Sequence, residues 1–152
     1  MRQVTLCLIA LALSVSSLAA QEFDRAQAER AALLVVDDFM TAFNAYDAEA
    51  WSATLHYPHF RLASGQMRID EGGPPAVERL AGGLRRLRSS GWYRSAWDRR
   101  RVVHVGPTKV HIDTQFTRYR KDGSVIATYE SLYVVTLEDG RWGVKMRSSF
   151  AG

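Results

Sequence analysis

Cysteine is nearly absent from this chain. The single one among 152 residues, Cys7, lies in an apolar run near the N-terminus. No thiol remains beyond that run, which excludes a disulfide framework and a thiolate metal site there. Long apolar runs are equally scarce. The longest spans about a dozen residues from Val4 to Val15, too few for a bilayer core, which needs roughly 20. Internal repeats and low-complexity tracts are missing. So are GxSxG, the P-loop, GxGxxG and HExxH, and with them go the nucleophile elbow, the phosphate loop, the dinucleotide fingerprint and the zinc protease helix.

Acidic residues are lacking in one region. From 79 to 101 there are eight arginines (79, 85, 86, 88, 94, 99, 100 and 101) against only Asp98, in a chain of formal net charge +4. Such a block can attract an anionic partner. No helix-turn-helix, zinc finger or aromatic RNA-binding motif accompanies it, so nucleic acid is not expected, and a solvated helix face followed by a charged strand accounts for the block.

What the N-terminus does have is the layout of a secretory signal peptide. MRQVTLCLIALALSVSSLAA opens on Arg2, runs apolar and ends in small residues. Cleavage after Ala19 leaves Ser17 and Ala19 at the two small-residue positions. The expected organisation is a signal peptide over 1–19 and one domain over 20–152. The protein is then exported, periplasmic or secreted, with no stable membrane anchor after processing. Cys7 sits inside the apolar run, away from the junction, and is a poor candidate for lipid attachment. About 130 residues suffice for one apolar core.

Asp24 with Gln27 three residues on forms a capping box, and Ala32, Val36, Phe39, Met40 and Phe43 recur at helical spacing. A first helix is therefore expected, ending near Asn44. A short second helix, capped by Asp47, carries Trp51 and Leu55 on one face. Pro58 stops it and pushes Tyr57 into an extended conformation. A hairpin follows, from His59 to Ala63 and from Gln66 to Asp70 around Ser64-Gly65. Pro75 suits the start of a third helix with the stripe Val77, Leu80, Leu84 and Leu87, closed by Ser89-Ser90-Gly91.

From Trp92 onward the period is two, with turns at Gly106-Pro107, Asp122-Gly123 and Asp139-Gly140. Four strands in an antiparallel meander are expected. Alternation assigns Val110, Ile112, Thr114 and Phe116 inward, with Tyr129, Ser131, Tyr133 and Val135 on the next strand. On the last strand it assigns Trp142, Val144, Met146, Ser148 and Phe150 inward, leaving Lys145 and Arg147 outside. Helices segregated from an antiparallel sheet make an α+β fold. A long sheet curved around the first helix leaves its open end hollow.

The stretches FMTAFNAYDAEAWSATL, LHYPHFRLASGQMRI and FTRYRKDGSVIATYESLYVVTLEDGRWGVKMRSSF together resemble the nuclear transport factor 2-like superfamily, in particular its SnoaL-like branch. The resemblance covers nearly all of residues 20–152. It implies a cone-shaped α+β fold, with three N-terminal helices and a short hairpin packed on a curved antiparallel sheet. It also implies a pocket between helices and sheet, and a homodimer formed through the sheet. The superfamily holds isomerases, dehydratases, cyclases and epoxide hydrolases beside non-catalytic binding domains, so the fold alone assigns no activity. Its enzymes rely on acidic or histidine side chains inside the cone. The inward faces assigned above carry no Asp or Glu, which leaves His59 and Arg61.

LHYPHFRLASG places two histidines three residues apart. Extended residues at that spacing lie about 10 Å apart and on opposite faces, so one ion about 2 Å from both is not expected. His59 can shuttle a proton near neutral pH, and Arg61, on the same face, can hold a carboxylate or an enolate-like oxygen. Equally, His59 can be a hydrogen-bonded rim residue with Arg61 paired to a structural acid. His111 and Asp113 form a candidate dyad, but Lys109 and Gln115 on the same face mark it as solvent or dimer surface.

The expected function is an exported small-molecule-binding domain with no metal or cofactor. His59 is the tentative catalytic residue, and Tyr57, Arg61, Trp97, Tyr129 and Ser148 are expected to bind ligand. The alternatives are a SnoaL-like isomerase, dehydratase or cyclase using His59 as general acid-base, and a non-catalytic dimeric interaction domain.

Overall fold

A computed structural model describes residues 23–151. The expected signal peptide therefore lies outside the described residues. Helix α1 spans Arg25–Asn44, and the Asp24 carboxylate accepts a hydrogen bond from the Gln27 amide at 2.9 Å. That capping contact satisfies one of the four amides a helix start leaves unpaired. The stripe Ala28, Ala32, Val36, Phe39, Met40 and Phe43 is buried along it. Helix α2, Ala48–Ala53, is capped by Asp47 through the Ala50 amide at 2.9 Å. It is shorter than the sequence suggests, because Leu55 opens strand β1 rather than closing the helix.

Strands β1 (Leu55–Ala63) and β2 (Gln66–Asp70) form a hairpin, and helix α3 spans Gly73–Ser89. Strands β3 (Arg94–Val105), β4 (Lys109–Tyr119), β5 (Val125–Glu138) and β6 (Arg141–Ser149) form the meander. The β5–β6 turn has positive φ at both Asp139 (51°) and Gly140 (77°), the backbone that an Asp-Gly hairpin provides.

The strand order is β2-β1-β6-β5-β4-β3. This corrects two expectations. The sheet is mixed, since β1 runs parallel to β6. The hairpin is also not packed on the sheet but extends it at one edge. The architecture is α+β, with three helices on one curved six-stranded sheet.

The core lies between α1 and the middle of the sheet, where Val36, Val110, Ile112, Val135 and Val144 are fully buried. Burial of each such side chain stabilises by about 1.5–3 kcal/mol. Helix α3 behaves differently. Of its stripe only Leu84 is buried, while Leu80 and Leu87 stay partly exposed because the helix stands over a hollow rather than over the core.

The alternation assigned to β6 fails halfway along the strand. Val135 pairs with Val144 and Val134 with Met146, so Lys145 is an extra residue in the ladder. A one-residue bulge turns everything beyond it to the other face. Arg147 and Ser149 point inward and are buried at 7% exposure each. Ser148 moves outward, in register with the exposed Leu62 and Leu132.

Candidate functional site

The segment His56–His59 stands opposite the single residue Lys145, because Leu55 pairs with Val144 and Phe60 with Met146. Both histidines are buried there, for different purposes. His56 Nε2 lies 3.2 Å from the Thr136 carbonyl and 3.1 Å from that of Arg141, and Arg141 donates to its Nδ1 at 2.9 Å. It fastens the β5–β6 hairpin to β1. His59 Nδ1 lies 3.0 Å from the Val144 carbonyl. A carbonyl only accepts, so Nδ1 carries the proton and Nε2 the lone pair.

His59 faces a cavity of about 830 Å³ between the helices and one end of the sheet. The helix side is largely apolar: Phe39 and Phe43 from α1, Trp51 from α2, Leu80 and Leu87 from α3. The sheet side is cationic. Arg61 on β1, Arg118 on β4 and Arg147 on β6 all reach it, joined by Arg68 on β2. In all, six arginines line the cavity against one acid, Asp70, which Arg79 holds at 2.6 Å. Among the described residues no carboxylate pairs with Arg61, Arg68, Arg118 or Arg147.

Aromatic rings and hydroxyls hold the Arg118 and Arg147 guanidinium groups in place instead. Arg118 lies 4.9 Å from the Tyr129 ring centre, and Arg147 lies 5.3 Å from that of Tyr133. Arg147 donates to Ser149 Oγ at 2.9 Å, and Ser131 donates to the same oxygen at 2.8 Å. Even so, the buried Nε of Arg118 and of Arg147 have no hydrogen-bond partner among the described residues.

Burial, opposed by the Val144 hydrogen bond, pushes the His59 pKa down to about 4, so the ring is neutral at pH 7. Burial also lowers Arg61 to about 10, helped by Arg147, Arg68 and Arg118 nearby. Arg118 is lowered by burial first and by Arg147 as well, with Tyr129 opposing. Arg147 thus acts on both Arg61 and Arg118, and Arg118 on Arg61, which marks a cluster of like charge.

Of the residues singled out from sequence, His59 and Arg61 meet in the cavity and the others do not line it. Tyr57 faces a separate groove beside α2 and the start of α3, its hydroxyl 2.5 Å from Ser52 Oγ. Trp97 is packed edge-on to Phe116 and Tyr133 in the core. Tyr129 packs against Phe116 at an interplanar angle of 37° and serves as the platform under Arg118. Ser148 is on the outer face, as the bulge dictates.

Sequence reasoning missed Arg118 and Arg147. The even-numbered inward run 110, 112, 114, 116 continues to Arg118, so alternation already indicated it. Arg147 had no such signal.

The arginine-rich stretch is mostly surface. Arg85 pairs with Glu78, Arg100 with Asp37, and Arg99 and Arg101 with Asp113. Those last pairs also occupy the acid of the His111–Asp113 candidate dyad. No group of three or more His, Cys, Asp or Glu residues able to hold a metal ion occurs among the described residues.

Residues 28–147 match the model of a family described as NTF2-like protein (DUF6841). The chain belongs to this NTF2-like family. Its fold is shared by an NTF2-like protein of unknown function from Shewanella oneidensis MR-1, at 14% identity and a TM-score of 0.64, over 80% of this chain and 98% of the other. A cystatin-like NTF2-like protein from Novosphingobium aromaticivorans superposes with a TM-score of 0.67 at 14% identity, over 82% of each chain. A ketosteroid isomerase-like protein from Erwinia carotovora aligns at 18% identity and a TM-score of 0.60, over 80% of this chain and 93% of the other. No curated protein matches the chain. These identities place the NTF2-like fold and leave the chemistry to the cavity itself.

Proposed function

We propose that this NTF2-like chain is a small-molecule-binding domain whose ligand sits in the cavity between α1, α3 and the sheet. The observation that carries the reading is the hollow itself. It measures about 830 Å³, within the range of known ligand sites, and it combines apolar walls with a few convergent polar groups. In a tightly packed interior such a space is otherwise filled. The reading includes export, which rests on the signal-peptide layout of residues 1–19. It is tested by native mass spectrometry and ligand-induced thermal shifts over a broad metabolite panel. A protein that responds to nothing is not a binder of this kind.

A second reading, akin to SnoaL-like enzymes, makes His59 a general base. In its favour, Nε2 carries a lone pair on a ring that lines the cavity. Against it, a pKa near 4 makes a weak base at neutral pH. Asp70, the one acid on the cavity wall, is engaged by Arg79. Proton transfer by His59 requires that His59→Ala abolish turnover of a substrate the native protein converts.

A further inference from the structure

We infer that the cavity selects an amphiphilic organic anion, its oxyanion head seated on Arg61, Arg118 and Arg147 and its apolar body against the helix wall. The inference rests on the binding reading and gives it a ligand class.

The cluster sits on adjoining parts of one face. Arg61 and Arg147 are register partners on the parallel strands β1 and β6, and Tyr133 follows Arg147 on β5. Arg118 closes the group from β4, near enough to lower Arg61. Arg118 and Arg147 are only 8% and 7% exposed. Buried charges are ordinarily paired with opposite charge, and among the described residues these are not.

Two features show that the cations are held for something. The first is unsatisfied donor capacity, since Nε of both Arg118 and Arg147 lacks a partner among the described residues. The second is support, since the Ser131–Ser149 hydroxyl pair fixes Arg147 and the Phe116 and Tyr129 rings carry Arg118. A guanidinium whose position is fixed by packing presents its donor fork ready-made to a planar carboxylate or a tetrahedral phosphate. One oxyanion touching all three would offset their mutual repulsion.

The opposite wall determines the remainder of the ligand. Phe39, Phe43, Trp51, Leu80 and Leu87 present rings and branched chains, with the Trp51 indole N–H the one donor among them. A free inorganic ion would leave that wall in contact with water. An aryl or alkyl acid covers it while the head reaches the arginines. His59, neutral and with its lone pair on Nε2, suits a hydroxyl or amide N–H on the ligand and contributes no competing charge.

The test is calorimetric titration of the full chain with benzoate, 2-naphthoate and octanoate, each beside its primary amide, and with naphthyl phosphate and inorganic phosphate. The acids are expected to bind at least about tenfold more tightly than their amides, as bidentate ion pairs to arginine require. Raising salt is expected to weaken the acids alone. Arg147→Met is expected to erase that preference, and Arg147→Lys to keep part of it through charge without the fork. Cooperative melting of both variants shows that the fold persists, and Arg61→Met is the second variant should Arg147→Met not fold.

Amides binding as tightly as acids would overturn the anion inference and leave the binding reading intact. No binding by any acid or amide would remove both. Inorganic phosphate binding as tightly as naphthyl phosphate would overturn the amphiphilic part.

Discussion

Arg61 and Arg147 stand side by side on the parallel pair β1–β6, two cations on one rung of the sheet and both lining the cavity. Desolvating a guanidinium costs several kcal/mol, and a neighbour of like charge adds to the cost instead of offsetting it. The pocket wall therefore carries an electrostatic cost that no carboxylate among the described residues offsets at these two positions.

That cost makes a prediction about stability. In low-salt buffer free of organic acids, Arg147→Met is expected to stabilise the fold by about 1–3 kcal/mol, because an unbranched apolar chain replaces an uncompensated buried charge. Urea unfolding midpoints measure it. Sulfate or an organic acid should narrow the gap by stabilising the native protein alone. A variant less stable than the native chain in acid-free buffer would show that the guanidinium already has its counter-charge.

His59 predicts a pH dependence. Its folded pKa lies near 4 against 6.5 for the free side chain, so between these values the unfolded chain binds the extra proton. Stability therefore rises with pH across that window and is fully retained above about 6.5. Acidifying through the window should remove about 3 kcal/mol, at 1.36 kcal/mol per unit of pKa difference. His59→Asn should flatten this part of the curve. A His59 imidazole resonance titrating near 6.5 in the folded protein would contradict the assignment.

The sequence revealed the local elements and concealed the long-range pairings. Helix α1 was readable to its cap, since Asp24, Gln27 and the stripe to Phe43 all speak for one period. The Asp139-Gly140 turn was readable because few residue pairs accept two positive φ values. The parallel pairing of β1 with β6 leaves no local mark, so the sheet was expected to be antiparallel. Half of the site was legible: Pro58 fixed the strand that carries His59 and Arg61. Arg147 was lost to a single inserted residue, Lys145, which has no distinguishing composition. The sequence names Trp97 and Tyr129 as candidate ligand residues, yet Trp97 packs against Phe116 and Tyr133, and Tyr129 against Phe116, away from the cavity lining.

Export is tested by the mature N-terminus. Edman sequencing of protein recovered from the periplasm or culture medium should begin at Ala20, since Ser17 and Ala19 occupy the small-residue positions before the cut. Recovery only from the cytoplasm with Met1 intact would refute it.

The outer face of the sheet bears on assembly. Leu62 and Leu132 flank Ser148 in register and are 38% and 39% exposed. If copies pair through this face, Leu132→Glu should shift the protein from dimer to monomer in sedimentation equilibrium, because like charges would meet across a two-fold axis. A native protein that is monomeric at all concentrations would rule the pairing out.

Gly143 shows how closely the hairpin fits over His56. A Cβ built there would lie 2.7 Å from His56 Cδ2 and 2.8 Å from Nε2. The imidazole has little freedom to retreat, since Nε2 is bound to two carbonyls and Nδ1 to Arg141. Gly143→Ala should therefore cost about 1–3 kcal/mol, in the manner of overpacked interiors. His56→Ala alone removes the clasp and should cost a similar amount. Combined, the two changes should cost less than the sum of the singles, because the methyl then enters the space the ring vacated. Strict additivity in a double-mutant cycle would mean that the ring and the glycine do not meet.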